Sequence, residues 1–167
     1  MALAITATAC GFDLHARRIP NALTLGGAAT ALLYRLVTAG PPAAAMGLSG
    51  WALGLAIFLP FLLLRGLGAG DVKLMACLGA WLGSELVVHA ALYAAIAGGV
   101  MAIVMALASG YLRSAVDNVY RLLLHFRVAG LRPHPEMTLE QGKGPRLPYA
   151  LPIAAGTVMA MWLQQAL

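Results

Sequence analysis

Two aspartates, Asp13 and Asp71, stand in strongly apolar surroundings, where a carboxylate is expensive and is by default a candidate for function. Asp71 follows Gly66-Leu67-Gly68-Ala69-Gly70 and precedes Val72, Lys73, Leu74 and Met75. Three glycines in five residues weaken a helix by roughly 1 kcal/mol each relative to alanine. They suit a tight turn that another backbone or a substrate can approach. Asp71 then opens the next helix, where aspartate also serves as a plain N-cap. Asp13 lies in Phe12-Asp13-Leu14-His15-Ala16-Arg17-Arg18-Ile19-Pro20-Asn21. Two carboxylates a few ångströms apart cannot both ionise comfortably, so such a pair can share one proton. One then acts as general base on a water and the other as general acid toward the carbonyl or the leaving amine. Coupled groups titrate as a pair, so neither role is assigned to one residue. Peptide-bond hydrolysis is the natural chemistry of such a dyad. Proton-coupled transport is the competing use of intramembrane carboxylates. A membrane scaffold in which both aspartates merely cap helices is the third reading.

The elements that must position these residues follow from composition. Of the 167 residues, 61% are hydrophobic and 10% charged, against about 25% charged in an ordinary soluble domain. A soluble fold could not hide that much apolar surface, and abundant glycine and alanine suit close helix packing in lipid. The expectation is an all-α polytopic membrane protein with about six transmembrane helices in a single membrane-embedded domain, residues 1–167. The spans fall at about 1–17, 22–39, 46–64, 71–82, 86–109 and 147–167. The N-terminus lacks a basic region ahead of its apolar run and reads as a retained first span. Ile19-Pro20 should end that span, since a residue before proline avoids the α region. Gly40-Pro41-Pro42 stops the second span, and Gly83-Ser84-Glu85 breaks the fourth from the fifth. Pro60 is tolerable within a membrane helix, and Arg35 is expected to snorkel outward rather than face the bundle. No internal repeat of the transporter kind is visible.

Residues 111–146 form the one extended polar region and carry six of the eleven basic residues. Val116, Val119, Tyr120, Leu123 and Phe126 recur at helical spacing, which suggests a cytoplasmic interfacial amphipathic helix; a partly inserted hairpin is the alternative. Arg17 and Arg18, then Arg65 and Lys73, then this loop all fall on one side of a six-span topology, and the positive-inside rule makes that side cytoplasmic. Asp13 and Asp71, two crossings apart, therefore emerge at the same face. With only six acidic residues in the chain, that coincidence favours a dyad over capping. The charge of +5 is explained by the same rule, and no basic patch interleaved with aromatics points to nucleic acid. Cys10 and Cys77 are not spaced as a metal or disulfide pair, and His89 has no ligand partner at metal spacing. No metal and no cofactor are expected.

Asp13 with Arg17-Arg18-Ile19-Pro20-Asn21, followed by Gly68-Ala69-Gly70-Asp71-Val72-Lys73-Leu74, resembles the type IV prepilin peptidases, which are GxGD-type intramembrane aspartyl proteases. The late Pro148-Tyr149-Ala150-Leu151-Pro152 is similar to the proline-containing motif of that family's final helix. The resemblance implies cleavage of a short basic leader from prepilin or pseudopilin precursors at the cytoplasmic face of the bacterial inner membrane. It matches Asp13 and Asp71 to the catalytic aspartates. It matches Gly68, Gly70, Lys73, Pro20, Asn21, Pro148, Tyr149 and Pro152 to motif or substrate-binding positions. Lys73 would anchor its helix at the interface or tune the dyad by charge. The chain lacks the cysteine cluster and added domain of bifunctional members, so it looks like the short, peptidase-only type of the tight-adherence (Flp) pili, without methyltransferase activity. The implied partners are a membrane-inserted precursor and the lipid bilayer.

Overall fold

The structure is a computed structural model that describes residues 1–64, 67–110, 112–114, 116–120 and 148–166. Every regular element among them is helical: α1 (Ala2–Ala16), α2 (Asn21–Leu63), α3 (Ala69–Leu82), α4 (Ser84–Ala108) and α5 (Ala150–Ala166). Residues 112–114 and 116–120 are also helical, with Val116, Val119 and Tyr120 exposed. The expectations for Arg65, Gly66, Leu123, Phe126 and the remainder of the polar region up to Leu147 lie outside the described residues.

Helix α2 has 43 residues, and a straight helix of that length would measure roughly 65 Å, about twice the hydrocarbon thickness of a bilayer. It is broken at Gly40, whose φ of 78° and ψ of −176° leave the helix on the side open to glycine. Pro41 and Pro42 restart it at once, because a first helical turn has no partner for the N–H that proline lacks. The two arms fold back on one another. A Cβ on Gly47 would lie 2.8 Å from Arg35 Cδ and 3.1 Å from Leu32 Cδ2, whereas twelve residues of straight helix span about 18 Å. The gap expected between 39 and 46 is therefore a one-residue turn. The helix also runs on through Pro60 to Leu63. The break between the fourth and fifth expected spans shrinks in the same way to Gly83 alone, with Ser84 and Glu85 in the first turn of α4.

The core is α3. Val72 and all residues from Leu74 to Ala80 are buried, and both arms of α2 close on this helix. The first arm runs parallel to it, with Gly27 against Cys77. The second runs antiparallel, with Gly50 against Gly79 and Gly54 against Met75. A Cβ on Gly50 or Gly79 would run into the other's backbone, so both glycines are required by the approach of the two helices. On the far side, α4 packs on α5 where Gly156 meets the backbone of Ala90 and Ala94, and α1 lies against α5 and α3. Arg35 does not snorkel outward. It turns into the bundle, where Nε donates to Ala80 O at 2.9 Å and Nη2 to Trp81 O at 2.7 Å, because the end of α3 leaves carbonyls there without helical partners.

The outside is apolar. Leu92, Ile96, Val100, Ile103 and Leu107 form an exposed stripe along α4 at steps of three and four. Both α2 and α4 are long and apolar enough to cross a membrane. Small residues inside and large apolar ones outside are the arrangement of a membrane protein. Gly79→Ala is expected to lower stability in detergent micelles by roughly 1–3 kcal/mol through overpacking. Gly99→Ala, which meets nothing within 4 Å, should be neutral or slightly stabilising. Equal effects in an unfolding titration would contradict this packing.

Candidate active site

The site begins where the chain turns from α1 into α2. Arg17 ends α1 in the left-handed region (φ 50°), with its N–H donating to Asp13 O. Extended Pro20 then caps α2, its carbonyl accepting from Leu23 and Thr24 N–H. This link docks on the first turn of α3 at two points. Ile19 lies against Gly70, where a Cβ would stand 3.2 Å from Ile19 Cβ, and Lys73 Nζ donates to Asn21 Oδ1 at 3.0 Å. The Ile19-Pro20-Asn21 stretch and the glycine-aspartate stretch, some fifty residues apart in sequence, thus form one interlocked unit. Lys73 fastens it, a use distinct from both interface anchoring and direct pairing with a carboxylate.

Asp71 is the third residue of α3, and Gly68 is the N-cap. The carboxylate folds back over Gly68 and interacts with its backbone N–H. A Cβ on Gly68 would lie 3.0 Å from Asp71 Oδ2 and displace it. The plain capping role is therefore present in part: this is the carboxylate half of a capping box. It does not exhaust the residue's surroundings, because Asp71 also lies within electrostatic range of the Asp13 carboxylate and of the Tyr149 phenol.

Asp13 sits in the last turn of α1, the end of a helix where negative charge is disfavoured. The start of α5 compensates. Ala150, the first residue of that helix, donates its N–H to Asp13 Oδ2 at 3.2 Å, and it brings the positive end of the helix dipole with it. Cys10, one turn before Asp13, donates its thiol to Ala150 O at 3.3 Å. Ala150 is thus held at both its amide and its carbonyl by α1. Tyr149 fills the space between the second arm of α2 and α4. Its ring meets Phe58 edge-on at 6.2 Å, and a Cβ on Gly98 would stand 2.8 Å from its Cε2. Pro148 accepts the Leu151 N–H through its carbonyl, and Pro152 is buried in the first turn of α5.

The structure therefore brings Asp13, Asp71, Gly68, Gly70, Lys73, Pro20, Asn21 and Tyr149 into one region, with Pro148 and Pro152 framing the helix start that enters it. Sequence reasoning missed Cys10 and the Ala150 amide. Cys10 lay within reach, because residues three apart share a helix face. A backbone donor 137 positions from its acceptor left no signal. Among the described residues, no group of three or more His, Cys, Asp and Glu side chains is arranged to hold a metal ion.

The model of the type IV leader peptidase family matches residues 1–103, a stretch that includes both aspartates and ends within α4. The chain belongs to the type IV leader peptidase family. The comparisons with curated proteins and with solved structures found no match. The part that α5 plays in this leader peptidase lies outside the matched stretch and rests on the Ala150 and Tyr149 contacts alone. Lys73→Met and Asn21→Ala are expected to be coupled by about 0.5–1.5 kcal/mol in a double-mutant unfolding cycle of the leader peptidase. Strict additivity would mean that the bond between them contributes nothing.

Proposed function

We propose that this leader peptidase is an intramembrane aspartyl endopeptidase whose catalytic pair is Asp13 and Asp71. It removes the basic leader from type IV prepilin or pseudopilin precursors at the cytoplasmic face of the bacterial inner membrane, and it acts without methyltransferase activity, as the peptidase-only type of the Flp systems does. The single observation that carries the reading is that the two carboxylates, delivered by different helices, lie within electrostatic reach of one another beside the start of α5. With the arms of α2 counted separately, helices α1 to α5 among the described residues would make six crossings of one membrane-embedded domain. That number returns the α1 end and the α3 start to the same face.

The chemistry follows from one shared proton. The ionised carboxylate takes a proton from a water, whose oxygen adds to the scissile carbonyl carbon, and the protonated carboxyl donates to the carbonyl oxygen. Collapse of the gem-diol breaks the C–N bond, and the carboxyl that took the water's proton gives it to the leaving amine. The other carboxylate takes a proton from a gem-diol hydroxyl as the C=O re-forms, and the pair is again singly protonated. Gly70 admits Ile19 and Gly68 leaves room for the Asp71 carboxylate to fold back, so the two glycines set where that carboxylate is held for the substrate. Tyr149 walls that approach from the α5 side, and the hydrogen bond from Ala150 keeps Asp13 oriented.

Co-expression with a Flp-type prepilin, read by gel shift and N-terminal sequencing, tests this. Wild type is expected to cleave after the leader. Asp13→Asn and Asp71→Asn should each lose at least about 10²-fold in rate while remaining folded in the membrane, and chelators should have no effect. Cleavage that survives either substitution would overturn the aspartyl mechanism. A wild type that cleaves no prepilin offered would overturn the substrate and favour proton-coupled transport by the same pair.

A further inference from the structure

The carboxylate of Asp71 is carried at one end of α3, and the other end of that helix is held by an unusual latch. Ala80 and Trp81 belong to its last turn, where carbonyls have no helical partner. Such groups are costly to leave bare in an apolar bundle. The Arg35 guanidinium reaches both of them, with Nε on Ala80 O and Nη2 on Trp81 O. It also places a cation at the negative end of the helix dipole. Room for it is made by Gly47 on the second arm of α2, where a Cβ would stand 2.8 Å from Arg35 Cδ and 3.1 Å from Ala80 O. Trp81 completes the junction, donating Nε1–H to Gly27 O at 3.1 Å and packing on the Tyr34 ring at 5.8 Å between centroids.

We infer that Arg35 is a positioning residue for the catalytic pair: by latching the far end of α3 to the first arm of α2, with its stem packed on Gly47 of the second, it sets the axial register of Asp71 against Asp13. The mechanical argument is direct. From Asp71 to Ala80 is nine residues, about 14 Å of helix, buried along most of its length. A buried helix moves as a rod, so a shift at Ala80 is delivered to Asp71. The Lys73–Asn21 bond at the near end is one exposed hydrogen bond. The far end has two charged ones aimed along the axis, which is where axial position is best resisted. The Nε–H and Nη2–H of arginine form a rigid fork that spans two successive carbonyls, whereas lysine would have to serve both from one freely rotating ammonium nitrogen. The inference rests on the assignment of Asp71 to the catalytic pair.

The test uses the full chain in lipid nanodiscs, as wild type, Arg35→Met and Arg35→Lys, with two readouts. In the first, prepilin cleavage is measured per folded molecule. Arg35→Met should lose about 10- to 100-fold in kcat, the cost of a misplacement of about 1 Å, with KM within about threefold of wild type; Arg35→Lys should fall between. The second readout needs no activity. Thiols at positions 13 and 71 (Asp13→Cys, Asp71→Cys, with Cys10→Ala and Cys77→Ala) are joined by a short cross-linker and quantified by mass spectrometry. Arg35→Met should slow the cross-link at least roughly threefold. An unchanged kcat, a rise confined to KM, or an unchanged cross-linking rate would overturn the inference. If wild type cleaves no prepilin, the proposed function fails and the cross-link alone decides the role of Arg35. If Arg35→Met does not fold, Gly47→Ala, which pushes on Arg35 Cδ, is carried through both readouts with the same criteria.

Discussion

A short helix buried in a membrane protein has nowhere to send the unpaired groups at its ends. Helix α3 is 14 residues long, roughly 21 Å, and falls short of the hydrocarbon thickness. Both of its ends must therefore be satisfied by protein. At the far end the solution is Arg35 on the Ala80 and Trp81 carbonyls. At the near end the orphan N–H groups of the first turn are served in part by the Asp71 carboxylate itself, folded over Gly68. The same constraint thus explains an arginine inside the bundle and a carboxylate at its edge. The carboxylate is anchored by its own helix and still presents a face to Asp13.

The other aspartate is placed by the opposite argument. A negative charge in the last turn of α1 is poorly matched to its own helix, and it is matched instead by the start of α5, through the Ala150 N–H. Each aspartate therefore depends on a helix end, Asp71 on the one that carries it and Asp13 on one delivered from more than 130 residues away. The packing follows this division. The two arms of α2 grip α3, α4 and α5 grip each other, and α1 reaches from α5 across to α3. Asp13 and Asp71 stand within electrostatic range of one another where these groups of helices come together.

How much of this was legible in the sequence depended on whether the deciding interaction was local. Asp13 and Asp71 stood out because ionisable residues are rare in apolar runs, and the residues around each place them at helix ends. The helical fold was legible for the same reason, in long apolar stretches punctuated by Gly and Pro. Gly40-Pro41-Pro42 reads as a loop from composition, yet a single residue makes the turn, because two prolines are as well suited to starting a helix as to ending one. The orientation of Arg35 was not legible. Snorkelling and inward capping use the same residue at the same position, and only the neighbouring end of α3 decides between them. The Ala150 amide and the Lys73–Asn21 bond were beyond reach, since each joins groups far apart in sequence by a contact that only the assembled helices create.

The central claim is that the carboxylates of Asp13 and Asp71 occupy one electrostatic site. Isotope-edited infrared titration of the two carboxyl groups in the purified, lipid-embedded protein tests it most directly, with wild type compared against Asp13→Asn and Asp71→Asn. If the site is shared, replacing Asp13 by asparagine moves the titration of Asp71. An Asp71 titration unmoved when Asp13 is replaced would contradict the account.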